Sequence, residues 1–538
     1  MSSKLLRGTF ILTLGTIISK MLGLFYVIPF DAIVGQEGTT LYQYSYVPYT
    51  IFLSIATGGI PLAISKFISK YNALDEYAVG RKLFKSSQWI MIISGFVSFL
   101  ILYLSAPFLA GMVIRDTDQV TNIEDVITVT RAVSFALIIV PFMSLSRGFF
   151  QGHQSMGPTA VSQVVEQIVR IVFLLAGAYV VLNIMGGDIV TAASISTFAA
   201  FVGAIGGLLV LFWYWWRRKP YLDELLLKDK GTVDISLKEM YKEILVYAAP
   251  FVFVGLANPL FQFIDQITFN RAMVEIGLAK QADFAYSALN FYSHKLVIIP
   301  VSLATAFSLT LVPNITKSFI SGERNVVNSQ INQTFQVILF LILPAVTGMA
   351  LLAEPIYTTF YGHDPYGTEV LRFYAPVALL FSMFPVTAAI LQGINQQRFT
   401  VLSLLVGLLI KLTLNIPLIK LMETRGAILA TILGYVAAIT INLFVIKYFT
   451  GFSFKVTGRR SLLICIFTLL MFLGAGGTYE VLSMFFNPTS ITQAIVMIII
   501  TALVGILIYG YLSLKSKLAN ILFGTRVDRI KEKLHLRI

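Results

Sequence analysis

The sequence predicts an all-α integral membrane protein: fourteen transmembrane helices in two six-helix lobes, related by a pseudo-two-fold axis along the membrane normal, plus a C-terminal helix pair. Three observations carry this prediction. Of 538 residues, 57% are hydrophobic and 12% charged, with mean hydropathy +0.81, whereas soluble domains carry about a quarter charged residues. Fourteen stretches are apolar for long enough to cross a hydrocarbon core of about 30 Å. The basic residues then fall mainly on alternate connections between those stretches.

In order, the stretches are 8–34, 41–65, 88–114, 128–150, 158–183, 189–216, 244–270, 286–313, 331–353, 368–393, 399–419, 426–449, 461–484 and 491–514. The first is longer than a signal-peptide core and lacks a small-residue cleavage site, so it reads as a retained span. An even number of spans puts both termini on one side. The terminal segments and the connections on that side hold 27 of the 40 lysines and arginines, and the opposite connections hold five. This positive-inside asymmetry predicts a multi-pass protein of the bacterial plasma membrane with both ends cytoplasmic. The net charge of +13 is therefore a membrane signature, and no nucleic-acid partner is expected. Phe212-Trp213-Tyr214-Trp215-Trp216, directly before Arg217-Arg218-Lys219, marks the inner end of the sixth span.

The longest cytoplasmic connection, 217–243, separates an N-lobe (1–216) from a C-lobe (244–450). The two share an internal echo. Gln151-Gly152-His153-Gln154 aligns with Gln392-Gly393-Ile394-Asn395, Thr159 with Thr400, Ser162 with Ser403 and Arg170 with Lys411. Six spans separate equivalent points, so the repeats run in the same direction. Residues 451–514 form the added helix pair. The tail, 515–538, alternates Leu518, Ile521, Leu522, Val527, Ile530 and Leu534 with basic residues and reads as an amphipathic helix on the anionic inner leaflet.

Four cations, Lys20, Arg170, Lys295 and Lys411, stand within spans one, five, eight and eleven. A charge at the bilayer centre costs about 2.5–3.5 kcal/mol on insertion scales, so such residues usually face water or a partner. Together they predict a cationic vestibule for an anionic substrate. Glu166 stands four residues before Arg170, in register for an ion pair along the helix. Asp265 is the one acid deep in a C-lobe span, a candidate coupling site for a proton or cation, or a charge partner for a lobe cation such as Lys295. Gly58, Gly59 and Pro61 in span two, and Pro300 in span eight, are hinge candidates. The single cysteine, Cys465, precludes an internal disulfide, and no metal cluster, nucleophile triad or phosphate-binding glycine loop is evident.

Ser19-Lys20-Met21-Leu22-Gly23-Leu24, Lys295-Leu296 through Pro300 to Val312-Pro313, and Gln151-Gly152 before span five resemble the MurJ-type lipid II flippases. These belong to the multidrug/oligosaccharidyl-lipid/polysaccharide (MOP) exporter superfamily, which also contains the MATE transporters, and the likeness is strongest to the Gram-positive YtgP and SpoVB branch of polysaccharide biosynthesis. The resemblance implies a transporter that flips undecaprenyl-pyrophosphate-linked peptidoglycan precursor from the inner to the outer leaflet by alternating access, for cell-wall biogenesis and cell shape. It also implies that Lys20 and Lys295 fall on family basic positions and that the last helix pair borders a lipid-tail groove. Two departures stand out. No basic residue lies around Ile51–Pro61, and Ile298 replaces the acid one turn beyond the eighth-span cation.

No cofactor is expected beyond coupling to membrane potential, H⁺ or Na⁺. The expected partners are the lipid-linked pyrophosphate oligosaccharide, membrane lipids and the cell-wall synthesis machinery, with the chain acting as a monomer. Alternatives are a flippase for another lipid-linked oligosaccharide and a cation-coupled multidrug exporter, which would favour cavity acids over cations. A membrane glycosyltransferase or polymerase using the same carrier would need acids near an interface on sizeable outer loops. A scaffold subunit of the synthesis machinery would tolerate loss of the cavity charges.

Overall fold

A computed structural model describes residues 3–57, 59–114, 120–232 and 235–523. Gly58 and the tail beyond residue 523 lie outside the described residues. Every element described is helical, and the chain forms two compact units, Met1–Ser287 and Ala288–Ile538.

The first unit contains α1 (Ser3–Phe25), α2 (Val27–Thr57), α3 (Ile60–Ala73), α4 (Tyr77–Val113) and α5 (Ile123–Ser134). It continues with α6 (Ala136–Gly152), α7 (Met156–Tyr179), α8 (Ile189–Leu227), α9 (Leu237–Glu275) and α10 (Ala279–Ser287). Within α2, Gly35 adopts φ 65° and ψ −172°, and the chain doubles back there: Tyr42 returns to within 5.4 Å of Phe30, ring to ring. The second predicted span is itself divided. Gly59 sits at φ 64°, open to glycine at little cost, and Pro61 then starts α3 at a position where its missing N–H is harmless. Predicted span four is likewise built from two helices, α5 and α6.

Small residues decide how α8 packs. Ala192, Ser196, Ala199, Gly203 and Gly207 form a buried stripe along it. In lipid, where apolar tails supply no driving force between helices, such stripes let backbones approach closely. A side chain at Gly203 would reach within 2.9 Å of the Glu166 carbonyl and 2.8 Å of Arg170 Cβ on α7.

The sequence places the lobe boundary at the 217–243 connection, whereas the compact unit runs on through α10. The connection is itself pinned. Helix α8 extends to Leu227, Asp229 accepts the Ala78 N–H at 2.8 Å, Lys230 pairs with Asp75 at 2.8 Å, and Glu76 accepts the Thr232 N–H at 2.9 Å.

The second unit opens with a π-helical stretch, Ala288–Ser293, leading into α11 (His294–Ile320). Then come α12 (Arg324–Leu351), α13 (Ala353–Tyr361), α14 (Pro365–Tyr374), α15 (Val377–Gly393) and α16 (Gln397–Thr450). The unit ends with α17 (Phe454–Ser483), α18 (Ile491–Lys515) and α19 (Leu518–Phe523). Helix α16 contains two predicted spans, which meet at Glu423 (φ 50°, ψ −131°). Its arms pack so tightly that a side chain at Gly407 would stand 2.7 Å from the Gly434 carbonyl. The sequence echo between lobes is visible locally: α6 ends at Gly152 with Gln154 at φ 55°, and α15 ends at Gly393 with Asn395 at φ 59°.

Candidate substrate site

The polar wall of the first unit is built on α7. Gln163, Glu166, Gln167 and Arg170 recur at three- and four-residue spacing, so they share one face of the helix. Helix α1 lies against it. Thr16 donates to Gln163 Oε1 at 3.2 Å, and a side chain at Gly15 would come within 2.8 Å of Ala160 Cβ. On α1 the exposed hydrophobics Leu14, Ile17, Ile18, Met21 and Phe25 make one stripe. Lys20 is also exposed but lies about 120° round the helix from that stripe. It is thus set off from the apolar face and stands one turn beyond Thr16, at the edge of the α7 contact.

Arg170 does not pair with Glu166, contrary to the register expectation. Its guanidinium donates to the Tyr42 hydroxyl at 2.5 Å and lies 5.1 Å from the Tyr46 ring centre. Tyr42 stacks on Tyr46 at 5.2 Å, and Tyr46 meets Tyr49 at 5.3 Å. The Glu166 carboxylate is taken instead by Arg147 of α6 at 2.6 Å, and Arg147 also donates to Ser162 at 2.8 Å. The α8 backbone packs close beside residues 166–170 at Gly203. Arg170, partly exposed, presents five donors, of which Tyr42 engages one nitrogen. Such a fork suits a phosphate or pyrophosphate oxygen pair.

In the second unit, Lys295 is half-buried one residue into α11, just after the π-helical turn, with its ammonium 5.8 Å from the Phe291 ring. Pro300 is buried one turn further along α11. Short π segments often mark functional positions. Lys411 departs from the expectation of a cavity cation. It is fully buried and donates to the Ala427 carbonyl at 3.1 Å and the Thr431 hydroxyl at 2.6 Å, so it fastens the two arms of α16 to each other. The close approach at Gly407 leaves its ammonium enclosed by backbone and hydroxyl oxygens.

Asp265 on α9 is buried in the first unit, and Gln266 beside it donates to the Tyr44 carbonyl at 2.6 Å. A second buried acid went unnoticed in the sequence. Asp283 of α10 accepts from the Tyr44 hydroxyl at 2.6 Å and from the Thr121 N–H at 3.1 Å, while Asn270 donates to the same hydroxyl at 2.6 Å. Thr40 and Ser287 share a hydrogen bond of 2.5 Å alongside. These bonds tie α2 to α9 and α10, which is why the compact unit extends to Ser287.

A family model for polysaccharide biosynthesis proteins matches residues 5–319, more than half of the chain. Over 534 residues the sequence is 50% identical to lipid II flippase MurJ of Bacillus subtilis (strain 168), covering 98% of each chain. This chain belongs to the MurJ family. Among solved structures, a lipid II flippase MurJ in an inward closed conformation superimposes with TM-score 0.64 at 16% identity, over 94% of this chain and 99% of the other. An inward-facing MATE transporter of the MOP superfamily gives TM-score 0.58 at 17% identity, over 82% and 99%. The fold is therefore the MOP-type helical bundle, in a multi-pass bacterial membrane protein.

Within this MurJ-family fold, the residues the sequence reading missed are Arg147, Asp283, Asn270 and the tyrosines of α2. One signal was present. Leu41-Tyr42-Gln43-Tyr44-Ser45-Tyr46-Val47-Pro48-Tyr49 sets Tyr42, Tyr46 and Tyr49 on one helical face and Tyr44 on another.

Proposed function

We propose that this protein is a flippase carrying lipid II, the undecaprenyl-pyrophosphate-linked peptidoglycan precursor, from the inner to the outer leaflet. The full-length identity to a lipid II flippase carries the reading. In it, Lys20 and Arg170 bind pyrophosphate oxygens, and Lys295 is a separate anion-binding position. The tyrosine face of α2 holds the Arg170 fork in position before substrate arrives, so less freedom is lost on binding. Alternating access uses the break at Gly59 and the bonds from α2 to α9 and α10 as the parts that rearrange. Both termini face the cytoplasm, as the charge asymmetry favours. Membrane potential can assist, at about 2.3 kcal/mol per charge per 100 mV, with H⁺ or Na⁺ as further coupling ions. The protein works as a monomer alongside the cell-wall synthesis machinery.

The test is a leaflet-accessibility assay for lipid II in a bacterium depleted of its own flippase. Re-expression of this chain should return precursor to the outer leaflet. Precursor that stays inside while another lipid-linked oligosaccharide moves would assign the protein to that substrate instead.

A further inference from the structure

The start of α4 carries a feature that the transport reading does not use. Arg81, Lys82, Lys85, Gln88 and Trp89 occupy successive turns on one side of the helix and line an open cavity of about 750 Å³, walled by Leu226 of α8 and Leu237 of α9. The carboxylates around it are already engaged. Asp229 caps the α4 N-terminus through the Ala78 N–H, Asp75 holds Lys230, Glu224 holds Lys228, and Glu76 accepts from Thr232. Arg81 is fixed by Asp223 at 3.3 Å and by stacking on Trp215 at 4.7 Å. Lys82 and Lys85 are exposed, and no carboxylate among the described residues stands within ion-pairing distance of them.

The same face of α4 continues as an exposed apolar strip: Trp89 (69% exposed), then Ile92, Ile93 and Phe96. From Lys85 to Phe96 the helix rises about 16 Å, the scale of one acyl chain. Charge asymmetry assigns this end of α4 to the cytoplasmic side, and an exposed tryptophan next to cations marks a membrane interface.

We propose that this cavity is a binding site for the phosphate ester of an inner-leaflet lipid, with Lys82 and Lys85 on the headgroup oxygens and the hydrocarbon chain along Trp89, Ile92 and Phe96. A lipid is favoured over a free phosphate because cationic pocket and apolar strip are continuous on one helix face. The headgroup can belong to an anionic phospholipid or to the polyprenyl carrier. The site stands whichever lipid the protein transports, so its failure would leave the transport reading untouched.

The experiment is native mass spectrometry of the detergent-purified full chain, titrated separately with phosphatidylglycerol, undecaprenyl pyrophosphate, phosphatidylcholine and inorganic phosphate. The comparison is among wild type, Lys82→Ala/Lys85→Ala and, as a charge-matched control, Lys447→Ala/Lys455→Ala. At about 1 kcal/mol per basic residue near a lipid surface, the α4 double variant should bind one of the two anionic lipids roughly tenfold more weakly or worse. The control should match wild type, and Trp89→Ala should weaken the same lipid. The anionic lipid whose binding falls identifies the source. Equal losses in the control, unchanged binding of both anionic lipids, or binding of inorganic phosphate as tight as either lipid would each overturn the proposal.

Discussion

Tyr44 donates its hydroxyl to Asp283 at 2.6 Å, joining α2 to α10 through a carboxylate that is 5% exposed. Asn270 and the Thr121 N–H complete the set, so one tyrosine gathers four separate segments of the first unit. A bond to a buried charged acceptor is worth about 1.5–3 kcal/mol. Tyr44→Phe should loosen α2 from α10 by that order. The readout is cysteine labelling: in a Cys465→Ser background, Thr40→Cys, at a buried position, should react slowly and become several-fold faster when Tyr44→Phe is added. No change in rate would show that this bond does not hold the segments together.

Burial raises the Asp283 carboxyl above its ordinary value of 3.8. A raised folded-state value means the folded protein binds more protons, so stability falls as pH rises from 3.8 through the raised value and is level above it. Asp283→Asn removes the titration. Melting temperature plotted as wild type minus variant should decline as pH rises through that window and flatten beyond it; a flat difference throughout would contradict the assignment.

Lys20→Ala and Lys295→Ala should each abolish growth support in a flippase-depleted strain while the protein still reaches the membrane at normal levels. Arg170→Lys should be impaired as well, because a point ammonium cannot replace a fork steadied by the Tyr42 hydroxyl and the Tyr46 face. Complementation counts alongside membrane-fraction blots decide this, and full growth with both lysine variants would remove the anion-binding role.

Lys411 should behave differently from Lys20. A buried ion can often be replaced by a well-packed apolar residue of similar volume without loss, so Lys411→Met should retain expression and growth support. Lys411→Ala, which leaves a cavity beside the Thr431 hydroxyl and Ala427 carbonyl, should cost about 2–4 kcal/mol and lower the melting temperature. Loss of function in Lys411→Met at normal expression would return Lys411 to the substrate-binding set.

Arg147 and Glu166 form a partly enclosed ion pair, and removing one member should destabilise the fold by roughly 3 kcal/mol. Exchanging the two residues should restore more growth support than exchanging Glu166 with Arg170. Equal rescue by both exchanges would mean that the pairing is not selective.

The positions of the spans were legible from sequence alone, because a bilayer core demands the same thing everywhere: about 20 apolar residues with their backbone hydrogen bonds closed internally. That demand is one-dimensional, so hydropathy along the chain anticipated the long apolar helices, and the Gln-Gly step repeated in the sequence recurs in the fold as matching turns at Gln154 and Asn395. The unusual cost of Lys20, Arg170, Lys295 and Lys411 was equally readable. What each charge does with its surroundings was not. Glu166 could reach Arg170 or Arg147, and only the packing of α6 against α7 put Arg147 beside it. Lys411 could face water or its own hairpin, and only the tight packing of the two arms of α16 enclosed it. Tyr44 and Asp283 lie more than two hundred residues apart and meet through tertiary packing. Sequence determined which segments enter the membrane and which charges need an explanation; tertiary structure chose their partners, because a hydrogen bond depends on ångström-scale distances between helices that no local pattern records.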